Sequence, residues 1–218
     1  MGTSNLEKIR FLLPEMESLL KKYKLYVENH FIDQDLLAIS SFPCRVNDVK
    51  SLLEKKYVYG IDEKISRLQY HFFSDQSMLY HVKPFHGKYQ SLYDLLINEN
   101  VKLDSLECYQ RSIYDNLISE KYLILDSDDY VRLNKPNEIA VLKELYENNV
   151  LSYYHYDSES RSVINQMLAD GLVEYESTLF SRPEINYFNY YLNKSEYTNG
   201  KDLRNKYAHG THHNDQNA

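Results

Sequence analysis

The sequence predicts a mainly α chain, a helical bundle whose middle is interrupted by mixed α+β units and whose end is a helical hairpin. Three observations predict it. Leu6, Ile9, Leu12, Leu13, Met16, Leu19, Leu20 and Tyr23 recur at three-and-four spacing, the period of one helix face. In the middle, the apolar runs 122–125 and 130–133 flank Asp126-Ser127-Asp128-Asp129, a turn-rich spacer that reads as a β-hairpin. Toward the end, Ser181-Arg182-Pro183-Glu184 is a helix opening with Pro tolerated in the first turn, and Ile185, Phe188, Tyr191 and Leu192 follow on one stripe.

Taken in order, the first helical segment contains Pro14, which removes a backbone donor and is expected to bend or divide it. Segments 46–57, 62–73 and 91–98 are shorter amphipathic helix candidates. Segment 77–87 holds His81, Pro84 and His86 without periodicity and is expected as a connector; its histidines are too few and too loosely placed for a metal. Segment 107–119 is helix-like and leads straight into the hairpin. A weaker echo follows: helix 138–146, helix 159–169, then Gly171 and the strand-like Leu172-Val173-Glu174-Tyr175. After helix 181–192 the chain turns at 193–198 into a last short helix, 200–209. Thr198 and Asn199 are its cap candidates, Asp202 puts negative charge in its first turn, and Gly210 suits the left-handed position beyond its end. Three regions result: 1–90, an N-terminal helical region; 91–177, the mixed units; and 178–218, the C-terminal helices.

Composition narrows the function classes. A chain of 218 residues with 43% hydrophobic and 14% aromatic content can bury real cores and is not disordered. Twenty-two tyrosines and no tryptophan point to core and interface packing in preference to a base-stacking surface. The net charge of −7 argues against a general nucleic-acid binder. Its distribution is uneven: between Arg182 and His213 five Lys or Arg face three Asp or Glu, which is +2 and leaves −9 elsewhere. A small basic section in an acidic chain suits a selective RNA target or a masking partner. Cys44 and Cys108 are isolated, so reduced thiols, with no metal and no cofactor, are expected. The N-terminus has no charged-then-apolar signal pattern and no apolar run approaches a membrane span; a cytoplasmic protein without membrane contact is expected.

The basic section contains Asp202-Leu203-Arg204-Asn205-Lys206-Tyr207-Ala208-His209-Gly210. Arg offers a planar, permanently charged fork for a phosphate and its transition-state charge. His moves protons near neutral pH, and at a helix C-terminus the dipole favours its protonated form. At roughly 100° per residue the two side chains lie about 140° apart around the axis, which makes half a site. The stretch resembles the Arg-polar-x3-His signature of the HEPN superfamily, with Asn205 in the polar position. That resemblance covers the C-terminal fifth alone. It implies a metal-independent endoribonuclease, a HEPN-like C-terminal hairpin, and a homodimer whose two-fold axis brings two Arg and two His to one cleft. On this reading Arg204, His209 and Asn205 are catalytic, and Lys206, Tyr207 and Lys201 contact the RNA. Some HEPN toxins carry a Tyr two residues after the His; Thr211 stands there, so no modification at that position is implied. About eight residues follow the motif, so the domain is expected to be reduced, completed by N-terminal helices, or part of a longer protein.

The helix followed by a hairpin resembles the helix-plus-wing half of a winged-helix module, with segment 91–98 completing it. The candidate recognition helices carry Asp115, Glu120 and Asp170 against Arg111, Lys121 and Arg161, so protein contact is favoured over groove reading. Two functions are expected from these features: an RNase-like effector of stress response or antiviral defence, or a non-catalytic interaction or regulatory protein that dimerises through the HEPN-like helices.

Overall fold

The computed structural model describes residues 4–39, 46–61, 63–192 and 196–208. The chain is mainly helical with two small three-stranded sheets. Its contacts divide it into two compact units: Met1–Tyr57 together with Glu176–Ala218, and Val58–Tyr175. The segments 1–57 and 176–218, far apart in sequence, therefore share one unit, and the region 58–90 belongs with the mixed α/β middle.

In the first of these units, α1 (Asn5–Asn29) begins at a capping box: the Ser4 side chain accepts from the Glu7 amide and the Glu7 carboxylate accepts from the Ser4 amide. It ends at His30, whose φ of 62° and bond to the Tyr26 carbonyl close the last turn. The helix runs through Pro14 without division, contrary to the sequence expectation. A proline costs one rung and one clash, and a helix of 25 residues keeps full turns on either side. A short helix, α2 (Gln34–Ile39), follows, its first turn capped by the Asp33 carboxylate, which accepts from the Asp35 and Leu36 amides.

Segment 46–57 is not the helix its spacing suggests. It is a 3-10 turn (Val46–Asp48), then extended chain pairing with residues 177–179, where Lys50 bridges Thr178, Ser51 donates to Ser177 and Leu179 donates to Val49. The reason is long-range: fully buried Val49 and the β-prone Tyr57-Val58-Tyr59 find partners more than a hundred residues away, which local periodicity cannot register. α8 (Arg182–Leu192) is capped by Ser181, whose hydroxyl accepts from the Glu184 amide while Glu184 accepts from Ser181. The final helix, α9 (Leu203–Ala208), begins later than expected and is not started by Thr198 or Asn199. Asp202 takes that place, at φ +52°, with its carbonyl accepting from Lys206.

In the other unit, β1 (Tyr57–Gly60) leads to α3 (Glu63–Phe73), which presents Ile65, Leu68 and Phe72 to the core. The connector 77–87 is irregular, as expected, with His81 and His86 edge-to-face at 4.7 Å. α4 (Leu92–Asn98), capped by Ser91, precedes β2 (Val101–Lys102), a 3-10 turn (Leu103–Ser105) and α5 (Cys108–Ser119). The expected hairpin is present as β3 (Leu123–Leu125) and β4 (Tyr130–Leu133), antiparallel, in a sheet of order β2–β4–β3. Asp126 organises its turn by accepting from the Asp128 and Tyr130 amides and pairing with Arg132.

The weak sequence echo becomes a structural repeat. α6 (Pro136–Asn148), β5 (Leu151–Ser152), a 3-10 turn (Tyr153–His155), α7 (Ser158–Ala169) and β6 (Val173–Glu176) restate α4 to β3. From β2 onward each element recurs fifty positions later: Val101 becomes Leu151, Leu103 becomes Tyr153 and Cys108 becomes Ser158. The helix exits match: Glu120 and Asp170 share φ −79° and ψ −1°, and each is followed by a left-handed residue, Lys121 at 63° and Gly171 at 71°. The second repeat has no hairpin after β6; its sheet is completed by β1, in the order β5–β1–β6. One core joins both repeats, with Phe72, Leu92, Tyr114, Leu117, Leu123, Leu142, Ile164 and Met167 at 2% exposure or less. Among the described residues no helix is long and apolar enough to cross a membrane.

Candidate functional site

The motif helix sits at the end of a turn that the tyrosines of α8 hold in place. The Lys201 amide donates to the Tyr190 carbonyl at 2.8 Å, and the Lys201 ammonium lies 5.0 Å from the Tyr191 ring centroid. Tyr191 lies tilted against Tyr187 at 4.5 Å and meets Tyr190 edge-on at 5.1 Å; Tyr190 in turn meets Tyr197 at 6.0 Å. Asn189, almost wholly buried, donates to Glu196 at 2.7 Å and ties the turn back to α8. Further along, Asp202 starts α9 and receives the Asn205 amide group at 2.8 Å. Asn205 is thus bonded within its own helix as well as being placed beside Arg204.

Arg204 projects from α9 toward α1, where its guanidinium donates to Glu17 at 2.9 Å. The pair is half open to solvent, with the side chains 44% and 37% exposed. Arg204 holds the Glu17 carboxyl below its ordinary value, chiefly through that hydrogen bond, against the opposing effect of partial burial. Lys21 also approaches Glu17, at 4.0 Å. Of the sequence-predicted residues, Lys201 lies on the Tyr191 ring, Arg204 pairs with Glu17 and Asn205 bonds Asp202, while Lys206 is exposed further along α9. Tyr207 lies in α9 by its backbone, but its side chain is outside the described residues. His209 and Gly210 are also outside them, so the expected Arg–His relation and the expected glycine exit are not described.

Glu17 was not a sequence candidate. It stands 187 residues from Arg204, and a single acidic residue on an amphipathic helix carries no local signal. Tyr187 and Tyr191 were legible only as members of an aromatic and apolar surface; their role beside Lys201 depends on the turn that folds α9 back. On the apolar stripe of α8, Ile185 is buried and Phe188 packs edge-to-face on Phe180 at 5.0 Å, inside their own unit. α9 packs against both α1 and α8.

The arrangement can receive an anion. A guanidinium and two ammonium groups share one short stretch of chain, a tyrosine ring lies under one of them, and the exposed Tyr187 extends the aromatic surface. Glu17 competes for the guanidinium, so a phosphate must displace or share it. In the unit Val58–Tyr175 the helix arginines are also held by neighbouring groups, at exposed or half-exposed positions. Arg111 binds Asp104 at 2.9 Å and the Leu103 carbonyl, and Arg161 donates to the Tyr156 carbonyl at 2.7 Å with its guanidinium beside Tyr153 and Tyr154. An open pocket there is lined by Glu63, Lys64, Arg67 and Glu120, with one guanidinium nitrogen of Arg67 donating to both Glu120 carboxylate oxygens at 2.6 and 2.8 Å. Cys108 is exposed with a free thiol, Cys44 lies outside the described residues, and among the described residues no three His, Cys, Asp or Glu are grouped to hold a metal ion. Comparison with protein-family models, with curated proteins and with solved structures finds no match to this chain.

Proposed function

We propose that the protein is a HEPN-like, metal-independent endoribonuclease or RNase-like effector that works in the cytoplasm, in stress response or antiviral defence. The observation that supports this most is Arg204, half exposed on the motif helix beside Lys201 and its tyrosine platform. Arg204 binds the scissile phosphate, His209 takes the proton of the attacking ribose 2′-hydroxyl and delivers one to the leaving 5′-oxygen as the 2′-O–P bond forms and the P–O5′ bond breaks, and Lys201, Lys206 and Tyr207 contact the strand. Asn205 acts by positioning Arg204. Glu17 restrains the site: it neutralises the guanidinium until an RNA phosphate takes its place. Arg204→Ala and His209→Ala should each abolish RNA cleavage while the circular dichroism spectrum is kept, and cleavage by the parent protein should persist in chelator. Undiminished cleavage in both folded variants rejects the assignment; activity lost on metal removal rejects the mechanism.

A second reading is a non-catalytic interaction or regulatory protein. It is favoured by the engagement of Arg111, Arg161 and Arg204 inside the chain. On this reading the repeats are winged-helix-like modules that contact a protein partner, in keeping with the order β2–β4–β3 and with β1 standing where the second repeat lacks a wing strand. Glu17→Gln separates the two readings. Freed from its competitor, Arg204 should bind a short RNA about two- to fivefold more tightly if it is a phosphate ligand. Unchanged or absent RNA binding favours the regulator.

A further inference from the structure

The longest helix carries an apolar seam that its own unit leaves open. Ile9, Leu12, Met16, Leu19, Tyr23 and Tyr26 follow one another at intervals of 3, 4, 3, 4 and 3, which is the a/d pattern of a coiled coil sustained over the length of α1. In a single-chain helix such a stripe faces the core. Here Ile9 is 39% exposed, Leu12 59%, Met16 41%, Leu19 60% and Tyr26 43%, with Tyr23 half-buried. Glu17, through which α1 meets Arg204, lies off the seam. Phe11, the most exposed apolar side chain of the helix, also lies off the seam and is not explained by it.

The pattern is complementary to itself in one orientation. If a second α1 runs antiparallel about a two-fold axis that crosses the helix between Glu17 and Ser18, every a residue meets a d residue. Ile9 faces the other copy's Tyr26, Leu12 its Tyr23 and Met16 its Leu19, and the symmetry repeats all three contacts. The long aromatic residues of one end thereby cover the aliphatic residues of the other. The flanking g positions are Lys8, Glu15, Lys22 and Asn29. In the same register Glu15 lies beside Lys22 of the second copy on either side of the axis, and Lys8 beside the neutral Asn29. A parallel pairing would place Glu15 and Lys22 opposite the apolar e positions Leu20 and Val27 and would leave both charges without partners across the seam.

We propose that α1 is a homodimerisation helix whose occupant is the α1 of a second copy, antiparallel, with two symmetry-related Glu15–Lys22 pairs along its g edge. This places the dimer surface on the N-terminal helix, whereas the resemblance implies a two-fold at the motif cleft. It does not depend on RNA cleavage, because its test reads mass alone. The full chain should be a reversible dimer by light scattering at tens of micromolar. Glu15→Lys and Lys22→Glu each set like charges face to face at two symmetric contacts and should weaken the dimer roughly tenfold. The double variant Glu15→Lys/Lys22→Glu restores opposite charges and should recover parent affinity. Leu12→Asp and Leu19→Asp, at positions more than half exposed in the monomer, should give folded monomers. A monomeric parent chain overturns the proposal, as does a dimer that survives both Asp variants. A dimer lost in those variants but indifferent to both charge reversals overturns the antiparallel register.

Discussion

Replacing Gln110 with leucine tests how the connector 77–87 is held to the first repeat. Gln110 is fully buried on α5, and its side chain makes three hydrogen bonds. Its amide nitrogen donates to the carbonyls of Met78 at 3.0 Å and His81 at 3.1 Å, and its oxygen accepts from the Glu107 amide at 3.0 Å, closing the helix N-terminus. Leucine fills a similar volume and satisfies none of these. A buried partner left unmade costs about 1–3 kcal/mol. All three bonds are only partly buried, so water recovers part of each loss, and at the low end of that range for each we expect about 3 kcal/mol in all. With a slope of roughly 2 kcal/mol per molar urea, the unfolding midpoint of the unit Val58–Tyr175 should fall by about 1.5 M. Tyrosine fluorescence follows the transition, and hydrogen exchange at the first turn of α5 and at 78–82 should accelerate with it. The control is Gln166→Leu on α7, where an exposed glutamine reaches only Asp170, at 3.0 Å; its midpoint should move by less than about 0.3 M. Equal small shifts for both variants would refute the reasoning, because burial and bonding of Gln110 would then contribute nothing beyond a surface contact.

Other expectations follow from single groups. The pKa of His71 is lowered first by burial and then by Arg67, so above the ordinary value of 6.5 its neutral form costs nothing. As pH falls below that value the unfolded chain takes the proton first, and stability should decline. His71→Gln should flatten this part of the pH–stability curve, and an unchanged slope would deny the effect. Glu17 acts with the same sign at lower pH: lowered by Arg204, it contributes above its unfolded value near 4.5 and loses that contribution as pH falls through its folded value. Protection of the α9 amides, taken relative to their intrinsic exchange rates, should fall over that acid range in the parent and stay constant there in Glu17→Gln. The two left-handed helix exits should respond oppositely to substitution, with Gly171→Ala costing about 1 kcal/mol and Lys121→Gly nearly neutral or stabilising by a few tenths. Equal losses in thermal denaturation would show that the exits are not equivalent.

Local chemistry alone determined much of this protein. Apolar spacing placed α3, α4, α5, α7 and α8, the Asp-rich turn placed the β3–β4 hairpin, and Arg204 with its neighbours marked the basic stretch, because each depends on residues within a turn or two of one another. The tertiary structure decided what has no local signature. Segment 46–57 has helical spacing yet becomes extended chain, since its partners are residues 177–179. β1 completes the sheet of a repeat that begins some eighty residues later. Arg204 gains Glu17 as a competitor only because the two ends of the chain meet in one unit. The seam on α1 reads from sequence as an ordinary amphipathic face, and only the fold shows that nothing described in its own unit covers it. Helix and turn formation are set over a few residues, whereas strand pairing, charge pairing and exposure are set by which distant segments the core brings together.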